Sequence, residues 1–383
     1  MYEFQILKSV DPKTWNNNLK KSKYSIFFQT HEYLMSEVST PNKFPVFINI
    51  VDESKNIKGQ LGLVIHKSVK AYSSTLMMKI MNLFSYFGSR ALWVGGPIIH
   101  EENKTLRIHI LKKIIEAIEN ISNENNLVLI SGYTPPQDYL IDDDYKNEFN
   151  NQRYHINNFF TYAIDLSSDL DEIWNNIHNS TRRDVKRAQK QNISVKELSS
   201  IKELDNYFQL SKTWAKTKGI VSIINPNFKE RYWNCIKSGN EKVFLSYQDG
   251  ELIASHRLGC FNGIAHSHQL TNSYSMATNL GGPILTWHAI EWAKNVGLRI
   301  YDFSGGESPP ENEKDKKKYS EQWSSLLNYK KKWGGKEYPY YHLIKIKNKN
   351  KYKLFRFLSK IDWILRNYKK EQYKRSKKEV NAK

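Results

Sequence analysis

Apolar and polar positions alternate along the chain in two rhythms, and these predict helices and strands in a regular order. Residues 103–126 have helical spacing that places five apolar side chains on one face, Leu106, Ile110, Ile114, Ile118 and Ile121. Residues 43–68 have the pattern of two paired strands joined by a turn that carries polar residues and Gly59. The first half therefore predicts helices on a sheet.

The second half of the chain repeats this order. Strand-like runs are separated by Asp249-Gly250 and Asn262-Gly263, two dipeptides that favour tight hairpin turns. The tetrapeptide GGPI occurs at residues 95–98 and again at 281–284, and a helix and a closing strand are predicted after each copy. The shared order indicates an internal duplication.

A basic helix is predicted between the two halves. Apolar positions from Trp174 to Ala188 share one face, and Ser168 followed by Asp171 has the form of an N-terminal capping box. Another face projects cations, and guanidinium groups held together suit phosphate. An anion-binding wall is one interpretation, and a solvated face is the other. The cations are Arg182, Arg183, Lys186, Arg187 and Lys190.

The composition of the 383 residues allows packed cores, since 39% are hydrophobic, and the length favours two domains. Lys and Arg number 58 against 39 Asp and Glu, a net charge of +19. This excess favours polyanionic partners such as RNA, phosphorylated substrates or an acidic membrane face. The alternative is that the composition is Lys-rich throughout and indicates no particular partner.

The cysteines exclude a disulfide framework and a zinc site, because only Cys235 and Cys260 occur. The N-terminus lacks a signal-peptide pattern, and no apolar run approaches the roughly 18 residues of a membrane span. Histidine spacing fits no compact ligand set, so we expect no metal. These features predict a cytoplasmic protein.

Five motifs in order resemble the FemABX family, over residues 1–345. They are FFQTHEYL, LWVGGPI, IWNNIHNSTRRDVKRAQKQNISV, AIEWAKNVGLRIYDFSGG and NYKKKWGGKEY. The resemblance implies an α/β fold of mixed α+β sheets, with tandem acyltransferase domains of the GNAT type and a basic C-terminal helix. We expect an N-terminal domain over 1–165, a C-terminal domain over 166–347 and a basic helix and tail over 348–383.

The resemblance also implies an enzyme, an acyltransferase. FemABX proteins move an amino acid from aminoacyl-tRNA onto an amine of a peptidoglycan precursor. Relatives with the same fold use acyl-CoA and modify envelope polysaccharides or lipids. The implied co-substrate is therefore aminoacyl-tRNA or acyl-CoA, with no tightly bound cofactor, and the implied partners are a phosphorylated or lipid-linked envelope precursor and tRNA. NLGGPIL stands where a CoA pyrophosphate loop would lie, and Pro283 removes one backbone donor there.

Two further readings stay open. One is an acyl-CoA-dependent N-acyltransferase acting on an envelope polysaccharide or lipid. The other, from a different class, is a non-catalytic RNA-binding protein that uses the basic helix and the tail.

Candidate site residues follow from the resemblance and from the residues themselves. Tyr329-Lys330 falls where the family has an aromatic residue and a lysine, which implies that Lys330 stabilises an oxyanion or the ribose-phosphate region of the donor. The alternative is that Lys330 is one of three exposed lysines, with Lys331 and Lys332.

Asp302 ends a strand just before two glycines, where it could accept the proton of an amine or merely cap a turn. His266 or His268 could act as a base near neutral pH, and His268 is our catalytic candidate. The predicted catalytic set is Lys330, Asp302, His268 and Tyr329, and the predicted substrate-binding set is Arg182, Arg183, Lys186, Arg187, Trp214 and Tyr301.

Two segments lie outside this site. Residues 307–323 carry two prolines and a charge run, which indicates either a lid or an ordinary surface loop. Residues 351–377 have a basic amphipathic pattern that fits an anionic membrane, so we expect a peripheral contact with the inner membrane face. The alternative is a helix docked on the second domain.

Overall fold

The computed structural model describes residues 2–38, 42–67, 83–136, 143–218, 226–273, 280–307 and 321–361. It divides into two compact units, one formed by Met1–Thr161 with Tyr338–Leu358 and the other by Tyr162–Glu337 with Ser359–Lys383. Both units are mixed α/β, as predicted. The domain limits at 165 and 347 stay predictions.

The strands are β1 Glu3–Leu7, β2 Lys43–Val51, β3 Ile57–His66, β4 Arg90–Trp93, β5 Ile98–Ile99, β6 Leu129–Tyr133, β7 His155–Asp165, β8 Ser194–Glu197, β9 Glu241–Gln248, β10 Glu251–Phe261, β11 Ile264–Asn272, β12 Ile300–Glu307 and β13 Lys336–Ile346. The helices are α1 Pro12–Leu19, α2 His31–Glu37, α3 Lys104–Glu124, α4 Asp143–Asn151, α5 Leu170–Asn176, α6 Asn179–Lys190, α7 Glu203–Lys218, α8 Pro226–Lys237, α9 Gly281–Asn295 and α10 Glu321–Lys331. Residues 83–87 and 349–361 are also helical.

The first unit is built on a sheet with the strand order β1-β2-β3-β4-β6-β13, in which β4 and β6 are parallel and the other neighbours antiparallel. The helix α3 begins at Asn103, whose side chain accepts a hydrogen bond from the N–H of Leu106. Its isoleucines are buried against the sheet. The predicted face therefore forms the core of this unit from Ile110 to Ile121, whereas Leu106 at its start is 40% exposed. Gly59, predicted in the hairpin turn, lies within β3.

The second unit has the sheet order β12-β11-β10-β9-β8, with β11 and β12 parallel and the other neighbours antiparallel. Both predicted hairpin turns are confirmed. Asp249 and Gly250 have φ of 51° and 81°, and Asn262 and Gly263 have φ of 49° and 80°. Two successive left-handed residues match the right-handed twist of the flanking strands, so Asn-Gly and Asp-Gly are favoured there.

The helix between the halves differs from its prediction. It is two helices, α5 and α6, because the backbone is extended at Ile177 and His178. The N–H of His178 donates to the carbonyl of Lys332 at 2.8 Å, which uses a group that a continuous helix would need. The N-cap of α5 is Asp169, without a side-chain cap bond, so the proposed capping box at Ser168 is wrong.

The two GGPI copies also differ. Gly95 has φ of 67° and precedes the cis Gly96–Pro97 bond and the strand β5. The second copy, from Gly281, is instead the first turn of α9. Proline is tolerated in a first helical turn because the N–H it lacks would have no partner there. The sequence identity therefore does not mark equivalent structure.

The helix over 349–361 lies against the first unit through Phe355, whose ring contacts Phe84 and occupies the space beside Gly88. This differs from the alternative in which the helix docks on the second domain. Residues 362–377, the rest of the predicted amphipathic segment, lie outside the described residues. No helix in the described part of the chain combines the length and the hydropathy needed to cross a membrane.

Candidate active site

The candidate site lies where the two parallel strands of the second unit part. The register of β11 and β12 runs over three pairs, from Ile264–Ile300 to His266–Asp302. Beyond that pair β11 goes on to Asn272 in register with β10, while β12 goes on to Glu307. Where two neighbouring strands separate, the N–H and C=O groups on their facing edges no longer bond each other. An extended ligand can bond these groups.

Asp302 is held rigidly at this point, and it is only 3% exposed. Its Oδ1 accepts a hydrogen bond from the N–H of Ser304 at 2.7 Å, and its Oδ2 lies 3.3 Å from Nδ1 of His266. The turn-capping role proposed as the alternative is therefore present. The contact with buried His266 adds a second restraint on the carboxylate, so its orientation is fixed.

Ser304 takes an unusual backbone conformation, with φ of 59° in the left-handed region. Residues other than glycine, asparagine and aspartate adopt it infrequently, and such conformations cluster at functional sites. Its Oγ is buried with no hydrogen-bond partner within the described residues. The bend turns the carbonyls of Ser304 and Gly305 toward Lys330.

Lys330 is buried, with 8% of its surface exposed, whereas Lys331 and Lys332 are exposed. Its Nζ donates to the carbonyls of Ser304 at 2.6 Å and Gly305 at 3.0 Å. Two of the three ammonium donors are thereby used, and the third has no partner among the described residues. Of the three neighbouring lysines, the one that the resemblance singled out is the one turned inward.

Burial lowers the pKa of Lys330 to about 8, and the carboxylate of Asp302 opposes that change by favouring the charged form. The lysine is therefore mostly an ammonium at neutral pH and loses its charge just above it. A buried cation that titrates near physiological pH is typical of functional sites, although structural networks produce it too.

Tyr329 places its hydroxyl 2.9 Å from Oγ1 of Thr286 on α9. Oγ1 of Thr286 donates its own proton to the carbonyl of Gly282, so the tyrosine is the donor in this pair. Burial raises the pKa of Tyr329 to about 12. The phenol therefore stays protonated and helps to fix α10 against α9.

Tyr301 lies on the other face of β12 from Asp302, because successive side chains of a strand alternate. It is fully buried, and its hydroxyl is 3.4 Å from Nε2 of His256, which also contacts Ser267 at 2.8 Å. This buried network stiffens the sheet beneath the site. It gives Tyr301 no surface that a substrate could reach among the described residues.

His268 occupies a β-bulge. Arg257 pairs with Gln269 and Leu258 with Ser267, so the register skips His268. In a regular strand His266 and His268 would share one face, and the bulge breaks that alternation. Burial, together with the nearby Arg257 and His266, lowers the pKa of His268 well below its usual value, which keeps the ring neutral. Of the two histidines, His266 is the one that contacts Asp302.

The face of the sheet that carries His266 is stabilised by a buried ion pair. Both guanidinium arms of Arg257 bond the carboxylate of Glu241, and the guanidinium lies 4.1 Å above the ring centroid of Tyr232. Tyr232 donates to Tyr207, and Tyr207 donates to Gln269 of β11. The network ties α7 and α8 to the strand beside the site.

The basic residues of α6 face outward. Thr181, Val185 and Ala188 are buried as predicted, which leaves Arg183, Lys186 and Arg187 exposed. Arg187 pairs only loosely with Asp184, at 3.7 Å. No hydrogen bond or ion pair connects these three cations to Lys330 or Asp302 within the described residues. Their role as a substrate-binding wall stays a prediction.

Arg182 is different, because its guanidinium folds back onto Asn175 and Asn179. It lies one turn from His178, whose N–H bonds the carbonyl at the end of α10. Trp214 is half-buried on α7, without a contact to Lys330 or Asp302 in the described part of the chain. Residues 308–320, most of the proposed lid, lie outside the described residues.

The start of α9 decides how well a pyrophosphate would fit. Pro283 has no N–H, and the N–H of Ile284 bonds the carbonyl of Leu280 at 3.3 Å. Pro283 thus removes one backbone donor from the first turn, which leaves fewer than a helix start usually offers to a phosphate. Among the described residues, no group of three or more His, Cys, Asp or Glu side chains is arranged to hold a metal ion.

A comparison with protein families matches residues 178–317 to the family described as "Acetyltransferase (GNAT) domain". These residues include β11, α9 and β12, which build the candidate site. The chain has a GNAT fold. The predicted resemblance to the GNAT superfamily and the predicted fold class are thereby confirmed. A comparison with curated proteins finds no match.

Solved structures extend the likeness over nearly the whole chain. FemX is similar with a TM-score of 0.67 and 13% sequence identity, over 91% of this chain and 99% of that one. L-PGS from Bacillus licheniformis has a TM-score of 0.53 and 11% identity, over 91% and 97%. A tandem GNAT protein from the clavulanic acid biosynthesis pathway has a TM-score of 0.51 and 10% identity, over 90% and 98%. At these identities the likeness concerns the fold.

Proposed function

We propose that the protein is an acyltransferase that forms an amide, moving an aminoacyl or acyl group onto an amine of a cell-envelope precursor. The single observation that carries the proposal is the buried ammonium of Lys330, held by the carbonyls of Ser304 and Gly305 at the end of β12. The GNAT sequence match over the surrounding elements and the FemX-like fold support the reaction class.

The chemistry needs few protein groups. The amine attacks the carbonyl carbon of the donor, a C–N bond forms, and the carbonyl oxygen becomes an oxyanion. Lys330 directs its remaining N–H donor to that oxygen, and in a dehydrated site such a donor lowers the barrier by several kcal/mol, about 3 on a typical scale. The oxyanion then collapses, and the bond to the ribose oxygen of a tRNA or the sulfur of CoA breaks.

The proton of the amine needs an acceptor. Asp302 is a buried carboxylate whose two oxygens already contact Ser304 and His266. It holds the acceptor's ammonium electrostatically, one proton passes to water to give the neutral amine that attacks, and the proton that the nitrogen loses after the C–N bond forms passes to the departing oxygen or sulfur. In this scheme Asp302 also maintains the charge of Lys330. His266 fixes the carboxylate and is a positioning residue.

The donor separates the two enzymatic readings. An aminoacyl-tRNA donor is favoured by the FemX-like fold over 91% of the chain and by the backbone donor that Pro283 removes from the first turn of α9. An acyl-CoA donor is favoured by the sequence family, whose description names acetyl transfer. We propose aminoacyl-tRNA as the first candidate and acyl-CoA as the second.

The test is a donor competition with the purified full-length chain. Aminoacyl-tRNA carrying radiolabelled amino acids, and radiolabelled acetyl-CoA, are each offered with an amine-bearing peptidoglycan precursor and with an amino sugar. Label in the acceptor from aminoacyl-tRNA supports the first candidate, and label from acetyl-CoA alone supports the second. Stable RNA binding without transfer from either donor would contradict catalysis and favour the RNA-binding reading.

A further inference from the structure

Three cationic residue types stand in a row at one end of the sheet of the first unit. Lys43 pairs with His66 and His66 with Arg90, across β2, β3 and β4. Directly opposite residues share a face of the sheet, so the three side chains are neighbours. We call these residues the basic ladder.

The basic ladder is partly open to solvent, since all three residues are half-buried. Burial, Arg90 and Lys43 together lower the pKa of His66 to about 3, so its ring is neutral. Burial also lowers the pKa of Lys43, while the carboxylate of Glu37 opposes that change. Two cations with a neutral imidazole between them therefore stand side by side, each partly exposed, and such a donor set suits phosphate oxygens.

Apolar side chains lie near Arg90, at one end of this ladder. The ring of Phe355 lies under the guanidinium of Arg90, with 5.6 Å from Cζ to the ring centroid, and this contact anchors the helix over 349–361. The same helix leaves Leu354 and Phe357 exposed, by 40% and 60%. On the adjacent helix of residues 83–87, Leu83 and Tyr86 are 48% and 51% exposed.

Cations border these exposed side chains. Lys351 lies 4.4 Å above the ring centroid of Tyr86, and Lys353 and Arg356 are exposed on the same helix as Phe357. Contiguous exposed apolar groups bordered by Lys and Arg are typical of helices that lie in a membrane interface. The aromatic and aliphatic groups enter the acyl boundary, while the cations remain at the level of the lipid phosphates.

We propose that this face of the first unit docks on an anionic phospholipid bilayer, with the basic ladder receiving a lipid phosphate and Leu83, Tyr86, Leu354 and Phe357 inserted beside it. Charge complementarity selects this occupant. A second copy of the chain, with its net charge of +19 and the same cations on the same face, would be repelled. The inference is independent of the proposed acyl transfer, and it extends the surface expected from the C-terminal segment to β2 and β4.

The test is co-sedimentation of the full-length chain with vesicles of phosphatidylcholine alone or of phosphatidylcholine mixed with phosphatidylglycerol. We expect binding to the anionic vesicles, weakened by added salt. Phe357→Ser should lower the affinity at least about tenfold, because a large exposed apolar side chain is lost from the interface. Lys43→Gln/Arg90→Gln should lower it about fivefold for each cation.

Matched variants separate this face from the rest of the surface. Val296→Ser removes an apolar side chain that is 53% exposed in the second unit. Lys212→Gln/Lys237→Gln removes two exposed cations from the same unit. Both should bind as the unaltered chain does.

Three results would overturn the proposal. The first is that the unaltered chain binds neutral and anionic vesicles equally, or binds neither. This result does not depend on the folding of any variant. The second is equal affinity of Phe357→Ser and Val296→Ser. The third is a concentration-dependent dimer in sedimentation equilibrium that Phe357→Ser abolishes, since that would assign the face to a second copy.

Discussion

The charge of Lys330 should be visible in the pH dependence of stability. A pKa of about 8 in the folded chain, against 10.5 for an unburied lysine, means that folding disfavours the charged form. Each pKa unit corresponds to about 1.4 kcal/mol, so the buried ammonium costs about 3 kcal/mol of stability at neutral pH. Lys330→Met removes this titration while keeping an unbranched chain of similar length.

The direction follows from proton linkage. Between pH 8 and 10.5 the unfolded lysine holds more proton than the folded one, so stability rises with pH. Below pH 8 the penalty is complete, and above 10.5 it is absent. The free energy of unfolding of the unaltered chain, minus that of Lys330→Met, should therefore increase by about 3 kcal/mol across this interval.

The assay is urea unfolding at a series of pH values, followed by tryptophan fluorescence, for both proteins. Taking the difference cancels the titration of groups that the substitution leaves alone. NMR of lysines labelled at the ε carbon gives the same pKa directly, since the resonance that Lys330→Met deletes should titrate near 8. A difference in unfolding free energy that stays flat across the interval, with a resonance that titrates near 10.5, would refute the argument.

Two further substitutions test the surroundings of that lysine. Asp302→Asn keeps an acceptor for the N–H of Ser304 but removes the charge that favours the ammonium of Lys330. The fall of the transfer rate at alkaline pH should therefore move below pH 8. An unchanged pH–rate profile would show that the charge of Asp302 does not act on Lys330. Arg257→Met leaves the carboxylate of Glu241 buried without its partner and should lower the free energy of unfolding by about 3–5 kcal/mol in urea titrations. A loss below about 1 kcal/mol, the size of an exposed ion pair, would contradict the burial of that pair.

The sequence predicted those parts of the fold that depend on residues close together in the chain, such as tight turns and the buried face of a helix. Asn262-Gly263 forms a tight turn because both positions have positive φ, and the isoleucines of α3 meet the sheet because they share a helical face. The break between α5 and α6 escaped prediction, because apolar spacing continues across it. The bond from His178 to Lys332 that holds the break joins residues far apart in the chain.

The candidate site shows the same division. Asp302 before two glycines was expected to end a strand in a cleft, but it lies inside β12, which continues to Glu307, and it is buried beside His266. His266 was weighed but not selected over His268, although Ile264-Ala265-His266 and Ile300-Tyr301-Asp302 stand in parallel register. His266 and Asp302 each stand third in their strand, so they become neighbours when the two strands pair in parallel. The sequence alone does not show that these two strands pair.

Other features depend on long-range contacts alone. Three adjacent lysines have the same local chemistry, so only the packing of α10 decides that Lys330 is inside and Lys331 outside. The bulge at His268 is likewise set by the pairing of β10 with β11. The final part of β13 pairs with β6 in the first unit, although it follows the second unit in the chain.

The most direct test of the central claim is the single-turnover rate of labelled group transfer to an amine acceptor, measured for Lys330→Met and for Lys331→Met. The second variant removes an exposed cation from the same helical turn and serves as the matched control. We predict that Lys330→Met slows the chemical step at least about a hundredfold, the usual loss when an oxyanion donor is removed, and that Lys331→Met transfers at the unaltered rate. Equal rates for the two variants would contradict the account.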